Sequence, residues 1–405
     1  MRDRIILYCL LFFSVSLFSQ DNSVLSKGDW YVVSTNQNGI YKLDYNDLFE
    51  LGVDMNELNI NNIHIYGNGG GMLPKLNSDF RYNDLVQNAI EIYDLNNNNF
   101  FDKEDYLIFY GESANKWKYD SITGIFNHEL HLFADKVNYY INISNDYSSK
   151  IIQKRPIISN PERTISTFND FVFHEQELEN LIRSGKKWFG ERFNSNSSKS
   201  FNFTFPNLDL EDLVKIKTSF AVRSLNPSSV SLKANNNILS SINVSNIISA
   251  PSTEYAKISS IYHEYISSSE DIDIEIDYFS SDNGAVLWLD YIQINARRKL
   301  RMKNNFLQFR DVRTIESNIV RYEIDNTSNI MVWDITDPKN IMKLSLSTNA
   351  TSISFNDSSN ILREYIAFNS LAYIKPSLEG KLTNQNLHAI SSDVEYVIIS
   401  HPDFL

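Results

Sequence analysis

Strand-like patterns of hydrophobic and polar positions dominate this chain. Residues 271–278, DIDIEIDY, alternate acidic and apolar side chains without interruption, and residues 201–205 repeat the same period of two. A period of two predicts strands with one buried face and one solvated face. Short bulky runs bounded by Gly, Asn or Asp predict strands that are covered on both faces. These runs lie at residues 30–33, 63–66, 106–110 and 286–289.

Helical signals are sparse. Residues 47–51 begin with Asp47, three positions before Glu50, and are followed by Gly52. This spacing is typical of a short capped helix. Residues 176–182 place three aliphatic side chains on one helical face and predict a second short helix. The patterns together predict a mainly β chain.

The first twenty residues have the layout of a secretory signal peptide. Arg2 and Arg4 precede an apolar run at residues 5–18, which is shorter than the roughly 20 residues that a transmembrane helix needs. We expect cleavage close to Asp21 and export of the rest of the chain. Cys9 is the only cysteine, so the mature chain has no thiol and no disulfide. We find no later stretch that is long and apolar enough to be a transmembrane segment.

Composition narrows the class of protein. Hydrophobic residues make up 42% and aromatic residues 13% of the chain, which argues against intrinsic disorder. The balance of 37 basic against 50 acidic residues argues against a nucleic-acid partner, which requires clustered positive charge.

A length of 405 residues suits two or three domains. Candidate linkers lie at residues 154–163, which contain two prolines, and at the basic run 297–303. They delimit a β-rich N-terminal domain at 21–155, a β-sandwich domain at 165–298 and a β-rich connecting segment at 305–390. We interpret the basic run as a solvated linker, with a contact for an anionic partner as the alternative.

The strongest local chemical signal is an Asn-rich loop. Oxygen-bearing side chains and one backbone carbonyl follow the ligand order of a calcium-binding loop. The predicted Ca2+ ligands are Asp94, Asn96, Asn98, Phe100 through its carbonyl, Asp102 and Asp105. Asn99 stands where such loops carry Gly, but Asn tolerates the left-handed backbone required there. The alternative is a plain Asn-rich hairpin, and the residues alone favour neither interpretation.

Three motifs that resemble catalytic or nucleotide-binding sequences lack the necessary context. Residues 67–71, GNGGG, are followed by neither a helix nor Lys-Ser/Thr, and predict a turn. His128 and His131 are three positions apart rather than the four of a helical zinc site, so we interpret them as ordinary polar residues. Without a mature cysteine, His388 and His401 have no thiolate partner.

Eight short segments, taken in order, resemble the N-terminal region of the type IX secretion system sortases of the Bacteroidetes, in the gingipain-like C25 cysteine peptidase family. They lie at residues 28–31, 38–43, 65–70, 105–111, 187–191, 333–338, 384–388 and 396–405. The resemblance implies that β-rich domains precede an α/β caspase-like peptidase domain. Residues 391–405 would be only the start of that domain, which is truncated here, with its first strand at 394–399.

The resemblance also implies a function for the full-length protein. Members of this family remove sorting domains from exported cargo and attach the cargo to surface lipopolysaccharide through a cysteine-type transpeptidase reaction. No position of this chain matches the catalytic Cys or His, so we expect a non-catalytic portion that is inactive alone. The implied partners are a PorV-like outer-membrane β-barrel and cargo sorting domains. The implied location is the cell surface.

The alternative function is that of a free-standing cell-surface adhesin or carbohydrate-binding β-protein. Trp188, Trp288 and Trp333 are candidate sugar platforms, although an apolar strand around Trp288 predicts a core position. The apolar run at residues 394–399 favours the sortase interpretation, because a buried strand requires the crossover partners of a parallel sheet.

Overall fold

A computed structural model describes residues 22–146, 148–183, 185, 187–250, 253–389, 395–400 and 402–404. The predicted signal peptide therefore lies outside the described residues. Among them, a single α-helix, α1 (Tyr45–Leu51), accompanies 28 strands and six short 3-10 turns, so the chain is mainly β, as predicted. None of the helices in this part of the chain is long and apolar enough to cross a membrane.

The strands are numbered in chain order. They are β1 (Asp29–Thr35), β2 (Gly39–Asp44), β3 (Ile63–Tyr66), β4 (Gln87–Asn88), β5 (Ile90–Tyr93), β6 (Tyr106–Gly111), β7 (Lys116–Asp120), β8 (Ile125–Glu129), β9 (Val137–Ile143), β10 (Gln153–Lys154), β11 (Arg163–Ile165), β12 (Thr167–Glu175), β13 (Arg192–Asn194), β14 (Ser197–Thr204), β15 (Leu213–Arg223), β16 (Ser228–Ala234), β17 (Asn237–Val244), β18 (Lys257–Ile266), β19 (Asp271–Ser280), β20 (Val286–Lys299), β21 (Phe306–Arg310), β22 (Ile319–Asp325), β23 (Met331–Asp334), β24 (Met342–Lys343), β25 (Ser347–Thr348), β26 (Ser352–Ser358), β27 (Glu364–Phe368) and β28 (Ser377–Leu382). The 3-10 turns are Val24–Ser26, Ile60–Asn62, Val312–Thr314, Ser370–Ala372, Leu387–Ala389 and Pro402–Phe404.

The N-terminal region consists of two small sheets packed face to face. A five-stranded sheet has the order β28-β1-β9-β3-β4, and a three-stranded sheet has the order β2-β6-β5. Their shared core contains Val33 of β1, Leu43 of β2 and Phe109 of β6. The three predicted strands of this core, β1, β3 and β6, are buried on both faces, as their unbroken apolar runs predict.

One of the two predicted helices is present and the other is not. Helix α1 ends at Gly52, whose φ of 92° is left-handed, but it begins earlier than predicted because Asp44 forms the capping box with Asp47. The helix predicted at residues 176–182 is wrong. The amides of Leu178 and Glu179 instead donate to the carbonyl of Phe189, and the aliphatic side chains predicted to share a buried face are largely exposed.

The central region is the predicted β-sandwich. One face is the four-stranded sheet β14-β19-β16-β17, and the other is formed by β20, β15 and β18 of a larger sheet. The alternating strand β19 turns Ile272, Ile274 and Ile276 into the core, where they meet Leu287 and Leu289 of β20. The period of two in the sequence therefore corresponds to one inward face and one solvated face.

The larger sheet crosses the predicted boundary at residues 297–303. Ten strands belong to it, mostly in the order β10-β24-β23-β27-β21-β12-β20-β15-β18, with β13 pairing β20. The prediction of a solvated linker is wrong here. Arg297 lies within β20 with 5% of its surface exposed, and Leu300 and Met302 are buried in the next hydrophobic core. The acidic partners that neutralise Arg297 are distant in sequence, which is why the basic run alone did not predict burial.

The last strand returns to the start of the chain. β28 pairs antiparallel with β1, and the amide of Lys42 on β2 donates to the carbonyl of Ile374 at 2.9 Å. The segment predicted at 305–390 therefore shares hydrogen-bonded sheets with both earlier segments. The domain boundaries stay predictions, but hydrogen-bonded sheets connect the three segments.

The strand predicted at residues 394–399 is not formed in the described part of that segment. Residue 394 lies outside the described residues, and residues 395–400 carry no strand. Ile399 is 95% exposed. No described strand pairs with residues 395–399, and an extended segment without a neighbouring strand has no ladder of backbone hydrogen bonds to stabilise it.

A buried network of ion pairs joins Arg155 to the hydrophobic core that contains Leu300 and Met302. The guanidinium of Arg155 contacts Asp334 at 2.6 Å and also contacts Asp357, while Arg363 contacts Asp334 at 3.0 Å. Asp357 is fully buried and accepts a further hydrogen bond from the hydroxyl of Tyr365 at 3.0 Å.

We predict that Asp357→Ala lowers the free energy of unfolding by about 3 kcal/mol, because Arg155 and Arg363 must then share the single carboxylate of Asp334 and the hydroxyl of Tyr365 loses its acceptor. Denaturant unfolding of the full chain measures this change. Lys381→Ala is the matched control. It removes an exposed ion pair with Asp29, and such pairs contribute at most about 1 kcal/mol. Equal effects of the two substitutions would contradict the prediction.

His64 is a fully buried residue on β3 that makes stability depend on pH. Its Nε2 faces the carbonyl of Ser144 at 3.0 Å, and its Nδ1 faces the amide of Gln87 at 3.0 Å. Burial lowers the pKa of His64 from its ordinary value, although the carbonyl of Ser144 acts in the opposite direction. The unfolded chain therefore binds the proton more readily, and the stabilisation is present above about pH 6.5 and is lost as pH falls below it.

We predict that the free energy of unfolding falls between about pH 7 and pH 5, and that His64→Gln flattens this dependence by an amount on the order of 1 kcal/mol. Denaturant unfolding at a series of pH values measures both slopes. His263→Gln on β18 is the matched control. A wild-type slope that survives in His64→Gln would assign the pH dependence to other groups.

Candidate functional site

A polar cleft lies where the β7–β8 hairpin meets the outer face of the ten-stranded sheet. Its volume is about 380 Å³. The side chains that line it and bear on its chemistry are His128, Glu175, Lys187, Trp188, Asp290 and Tyr291. Asn295 of β20 clamps the hairpin to the sheet, because its side-chain amide bonds both backbone groups of Phe126, at 2.7 and 3.0 Å. Strands far apart in sequence thus meet at one surface.

A β-bulge brings two consecutive residues to this cleft. Ser219 of β15 pairs with Tyr291, and the next residue of β15 pairs with Leu289, so Asp290 is the extra residue of β20. A bulge allows neighbouring side chains to point to the same face. The carboxylate of Asp290 is buried and accepts from the hydroxyl of Ser219 at 2.7 Å and from the ammonium of Lys187 at 3.0 Å.

His128 is held rigidly in the wall of the cleft. Its Nε2 lies 2.6 Å from Glu175 Oε2, and its Nδ1 lies 2.7 Å from Gln293 Oε1. Its ring stacks on Phe173 with centroids 4.3 Å apart. Both ring nitrogens therefore face oxygen atoms, so both are occupied by contacts within the protein. His128 bonds a carboxylate and an amide here rather than a hydroxyl, so this contact set is not that of a Ser-His nucleophile.

Three carboxylates approach one another in the cleft. The pKa of Glu177 is raised, first by burial and then by the negative charges of Glu175 and Asp290, while Lys187 opposes the rise. The surface therefore combines unneutralised negative charge with hydrogen-bonding groups and Trp188, which is 39% exposed. Such a surface can hold a polar ligand, but it presents no described nucleophile for a reaction.

The other two candidate tryptophans belong to the core. Trp288 is 3% exposed and donates its indole N–H to Glu179 at 2.7 Å, and Trp333 is fully buried. The core position predicted for Trp288 is confirmed. Trp188 is therefore the tryptophan of this trio that a sugar could contact.

The remaining histidines have separate environments. The ring of His131 accepts from the amide of Phe133 at 3.2 Å, and the interpretation of His128 and His131 as ordinary polar residues stays a prediction. His388 lies 3.1 Å from the carbonyl of Asn83 and 3.7 Å from the carboxylate of Asp84. His401 lies outside the described residues.

The glycine-rich segment is a tight turn, as predicted. Gly69 and Gly71 have φ values of 81° and 91°. A Cβ at Gly70 would lie 1.9 Å from the carbonyl oxygen of Ser113, so the loop packs too closely for any larger residue.

The structure places the six predicted calcium ligands in one compact loop. Asn99 has a φ of 66°, which is the left-handed conformation expected at that position. The carboxylate of Asp94 accepts the amides of Asn98 and Asn99, at 3.3 and 2.9 Å. The carbonyl of Phe100, the sixth predicted ligand, belongs to the same turn, and the amide of Phe100 donates to Asn98 Oδ1 at 2.7 Å.

The other carboxylates of the loop are also occupied by hydrogen bonds. Asp102 accepts from the side-chain amides of Asn96 and Asn98, at 2.7 and 2.6 Å, and these bonds lower its pKa. Asp105 is buried and accepts the backbone amides of residues 95 and 102. Over the described residues, no group of three or more His, Cys, Asp or Glu side chains is arranged to hold a metal. The NH2 groups of Asn96 and Asn98 now face Asp102. To bind calcium beside Asp102, both side chains would have to present their amide oxygens to the ion instead, so calcium binding stays a prediction.

Sequence reasoning named His128 and Trp188 but did not predict the cleft that they line. His128 is 47 positions from Glu175 and 165 from Gln293. No local spacing links residues at such separations. The bulge at Asp290 likewise depends on the register between β15 and β20, which the sequence of one strand does not specify.

The described residues define a class of multi-sheet β-proteins with a central sandwich. No protein-family model matches the chain, and no curated protein matches it. Its fold is similar to that in a crystal structure of dimeric latent PorU from Porphyromonas gingivalis, with a TM-score of 0.78 and 18% sequence identity over 92% of this chain. The match covers 34% of that PorU chain, so this chain spans about a third of its length. The likeness shows a PorU-like fold.

Two carbohydrate-binding modules of the CBM36 type match more weakly. One is in complex with calcium and xylotriose, with a TM-score of 0.22 and 14% identity over 31% of this chain and 98% of its own. The other belongs to a multidomain xylanase from the hindgut metagenome of Trinervitermes trinervoides, with a TM-score of 0.21 and 12% identity over 32% of this chain and 94% of its own. At these scores the likeness carries no argument about function.

We predict that millimolar calcium raises the melting temperature of the full chain by a few degrees. At free calcium of about a hundred times the dissociation constant, binding adds roughly 2.7 kcal/mol to stability. Calorimetric melting with calcium and with a chelator measures the shift. Asp94→Ala combined with Asp102→Ala should abolish it, whereas Asp120→Ala at the end of β7 should not. A melting temperature indifferent to calcium would leave this segment an Asn-rich hairpin.

Proposed function

We propose that this chain is the non-catalytic N-terminal portion of a type IX secretion system sortase. The observation that carries the proposal is the PorU-like fold over 92% of the chain. In this proposal the β-rich region is a rigid scaffold for the cysteine peptidase domain of the sortase. The protein would be exported to the cell surface, where cargo sorting domains and a PorV-like outer-membrane β-barrel are its partners.

The arrangement of the two ends of the described β region supports a scaffold role. The amide of Ser23 donates to Asn386 Oδ1 at 2.8 Å, and Asn384 Nδ2 donates to the carbonyls of Leu25 and Gly28 at 3.1 and 3.0 Å. Residues 384–388 are therefore fixed against residues 22–28 at one edge of the first sheet. A domain that follows would be attached at a defined position on this edge.

The chemistry of the described residues also supports a non-catalytic role. His128 is bonded on both ring nitrogens, and His388 faces a backbone carbonyl. The single cysteine of the sequence, Cys9, lies in the predicted signal peptide. Acyl transfer of the sortase type requires an activated thiolate, which the mature chain would not supply.

A second candidate function is carbohydrate binding. The half-exposed Trp188 beside the carboxylates of the polar cleft favours it, because aromatic faces with a few convergent polar groups are typical of such sites.

Disruption of the gene in its host distinguishes the two functions. If the chain belongs to a sortase, we expect cargo proteins to keep their sorting domains, which mass spectrometry of surface proteins detects. If the chain is a carbohydrate-binding module, cargo is processed normally and only saccharide adhesion changes. Normal cargo processing would therefore overturn the sortase proposal.

We predict that the purified chain cleaves no sorting-domain peptide and that thiol-directed inhibitors label none of its mature residues. Peptide hydrolysis followed by chromatography, with a known cysteine peptidase as the positive control, measures the activity. Turnover that persists after substitution of His128 would reveal a catalytic site outside the residues described above.

A further inference from the structure

Strand β18 is the free edge of the ten-stranded sheet. It pairs antiparallel with β15 over residues 257–266 without a register shift, and no strand follows it in the order of the sheet. Apart from this ladder, the described part of the chain makes no hydrogen bond to the backbone of residues 258–266. Buried backbone groups are almost always paired, so the N–H and C=O groups along the outer edge of β18 face solvent. An edge of this kind can accept a further strand.

The outer face of β18 carries three large apolar side chains. Ile258, Tyr262 and Ile266 are spaced four residues apart and are 59%, 47% and 60% exposed. Alternate residues of a strand share one face, so Glu264 lies between two of these side chains. The carboxylate of Glu264 is paired with the ammonium of Lys215 on β15, at 3.6 Å. The face is therefore an apolar stripe beside an open edge.

Other edges of the described sheets carry features that discourage pairing. At the opposite end of the ten-stranded sheet, β10 has only two residues. The pairing of β28 with β1 is interrupted by a register shift beside Gly380, and that of β17 with β16 by another. Strand β14 presents the exposed Lys199. Short strands, bulges and Lys are the means by which natural proteins block edge-to-edge association, and residues 258–266 contain none of them.

We propose that β18 pairs antiparallel with β18 of a second copy of this chain. The sequence of the strand identifies this occupant, because it is self-complementary about Tyr262. A two-fold axis at Tyr262 places each Ile258 opposite Ile266 of the other copy and places the two Tyr262 rings opposite each other. Ser260 then lies opposite Glu264, so no two like charges meet across the interface.

Other registers lose this complementarity. An axis at Ile261 places Ile258 opposite Glu264, and an axis at Glu264 places the two copies of that carboxylate opposite each other. Such matches and mismatches on one face set the register of paired strands. The axis at Tyr262 pairs residues 258–266 of both copies, and it continues β15 and β18 of one copy into β18 and β15 of the other.

Sedimentation equilibrium of the mature chain tests the proposal. One strand edge buries less area than the roughly 1,600 Å² of a standard interface, so we expect a reversible dimer with a dissociation constant on the order of 10 μM. Tyr262→Lys places two ammonium groups opposite each other at the axis and should weaken association by about tenfold or more. Phe279→Lys replaces another exposed aromatic side chain of the sandwich, on β19, and is the matched control. It should leave association unchanged.

Disulfide cross-linking tests the register. The mature chain contains no cysteine, so Tyr262→Cys introduces a single thiol. Directly opposite residues have Cα atoms about 4.5–5.5 Å apart, which is within disulfide range, so this variant should form a covalent dimer on oxidation. Ser260→Cys places the two equivalent Cα atoms about 13 Å apart and should stay monomeric under the same conditions. Mixing Ser260→Cys with Glu264→Cys should restore the cross-link.

The proposal is overturned if the mature chain sediments as a monomer at several hundred micromolar, because the edge of β18 would then be free or would bind a different protein. It is also overturned if Tyr262→Lys associates as strongly as the wild type, or if Phe279→Lys weakens association to the same extent. Cross-linking of Ser260→Cys as efficient as that of Tyr262→Cys would show that a different interface joins the two copies.

Discussion

The bidentate ion pair between Arg297 and Asp311 is the interaction on which the continuity of this fold depends. Its two N–O distances are 2.9 and 2.8 Å, and both partners are buried. Arg297 also donates to Thr167 and Asn169 of β12. A guanidinium left unpaired at this depth would destabilise the fold by several kcal/mol. Because the charge is compensated, β20 runs on from the sandwich, and Leu300 beyond it enters the next core.

A continuous sheet determines where polar groups can gather. The β7–β8 hairpin of the N-terminal region packs on β20 of the sandwich, and β28 from the end of the chain pairs with β1. Each junction brings together two sheet surfaces, and each of these surfaces carries polar side chains on the exposed faces of its strands. The cleft at His128 and a second cavity of about 420 Å³, lined by Glu112, Arg310 and Lys339, both lie at such junctions rather than at the end of one strand. The geometry of the cleft therefore depends on the association of the N-terminal region with the sandwich, and that of the cavity on all three regions.

The sequence predicts strands and helix ends that depend on neighbouring residues, but it does not predict contacts between residues far apart in the chain. Alternation predicted β19 and the sandwich, and Gly52 marked the end of α1. Residues 176–182 have helical spacing but form a bridge to Phe189, because tertiary hydrogen bonds outweigh a weak propensity. The run at 297–303 appeared solvated because the partner of Arg297 lies on another element. The contact between His128 and Glu175 could likewise not be predicted, because it depends on how strands from two regions are aligned with each other.

Under the sortase proposal, the first sheet would set the position of the peptidase domain. Residues 22–28 and 384–388 are bonded to each other, and His388 is held near Asp84. Because β28 is hydrogen-bonded along β1, the last described strand is anchored to the N-terminal sheets. Under the sortase proposal, the sandwich is then left free to contact cargo or saccharide, while the first sheet fixes the orientation of the peptidase domain.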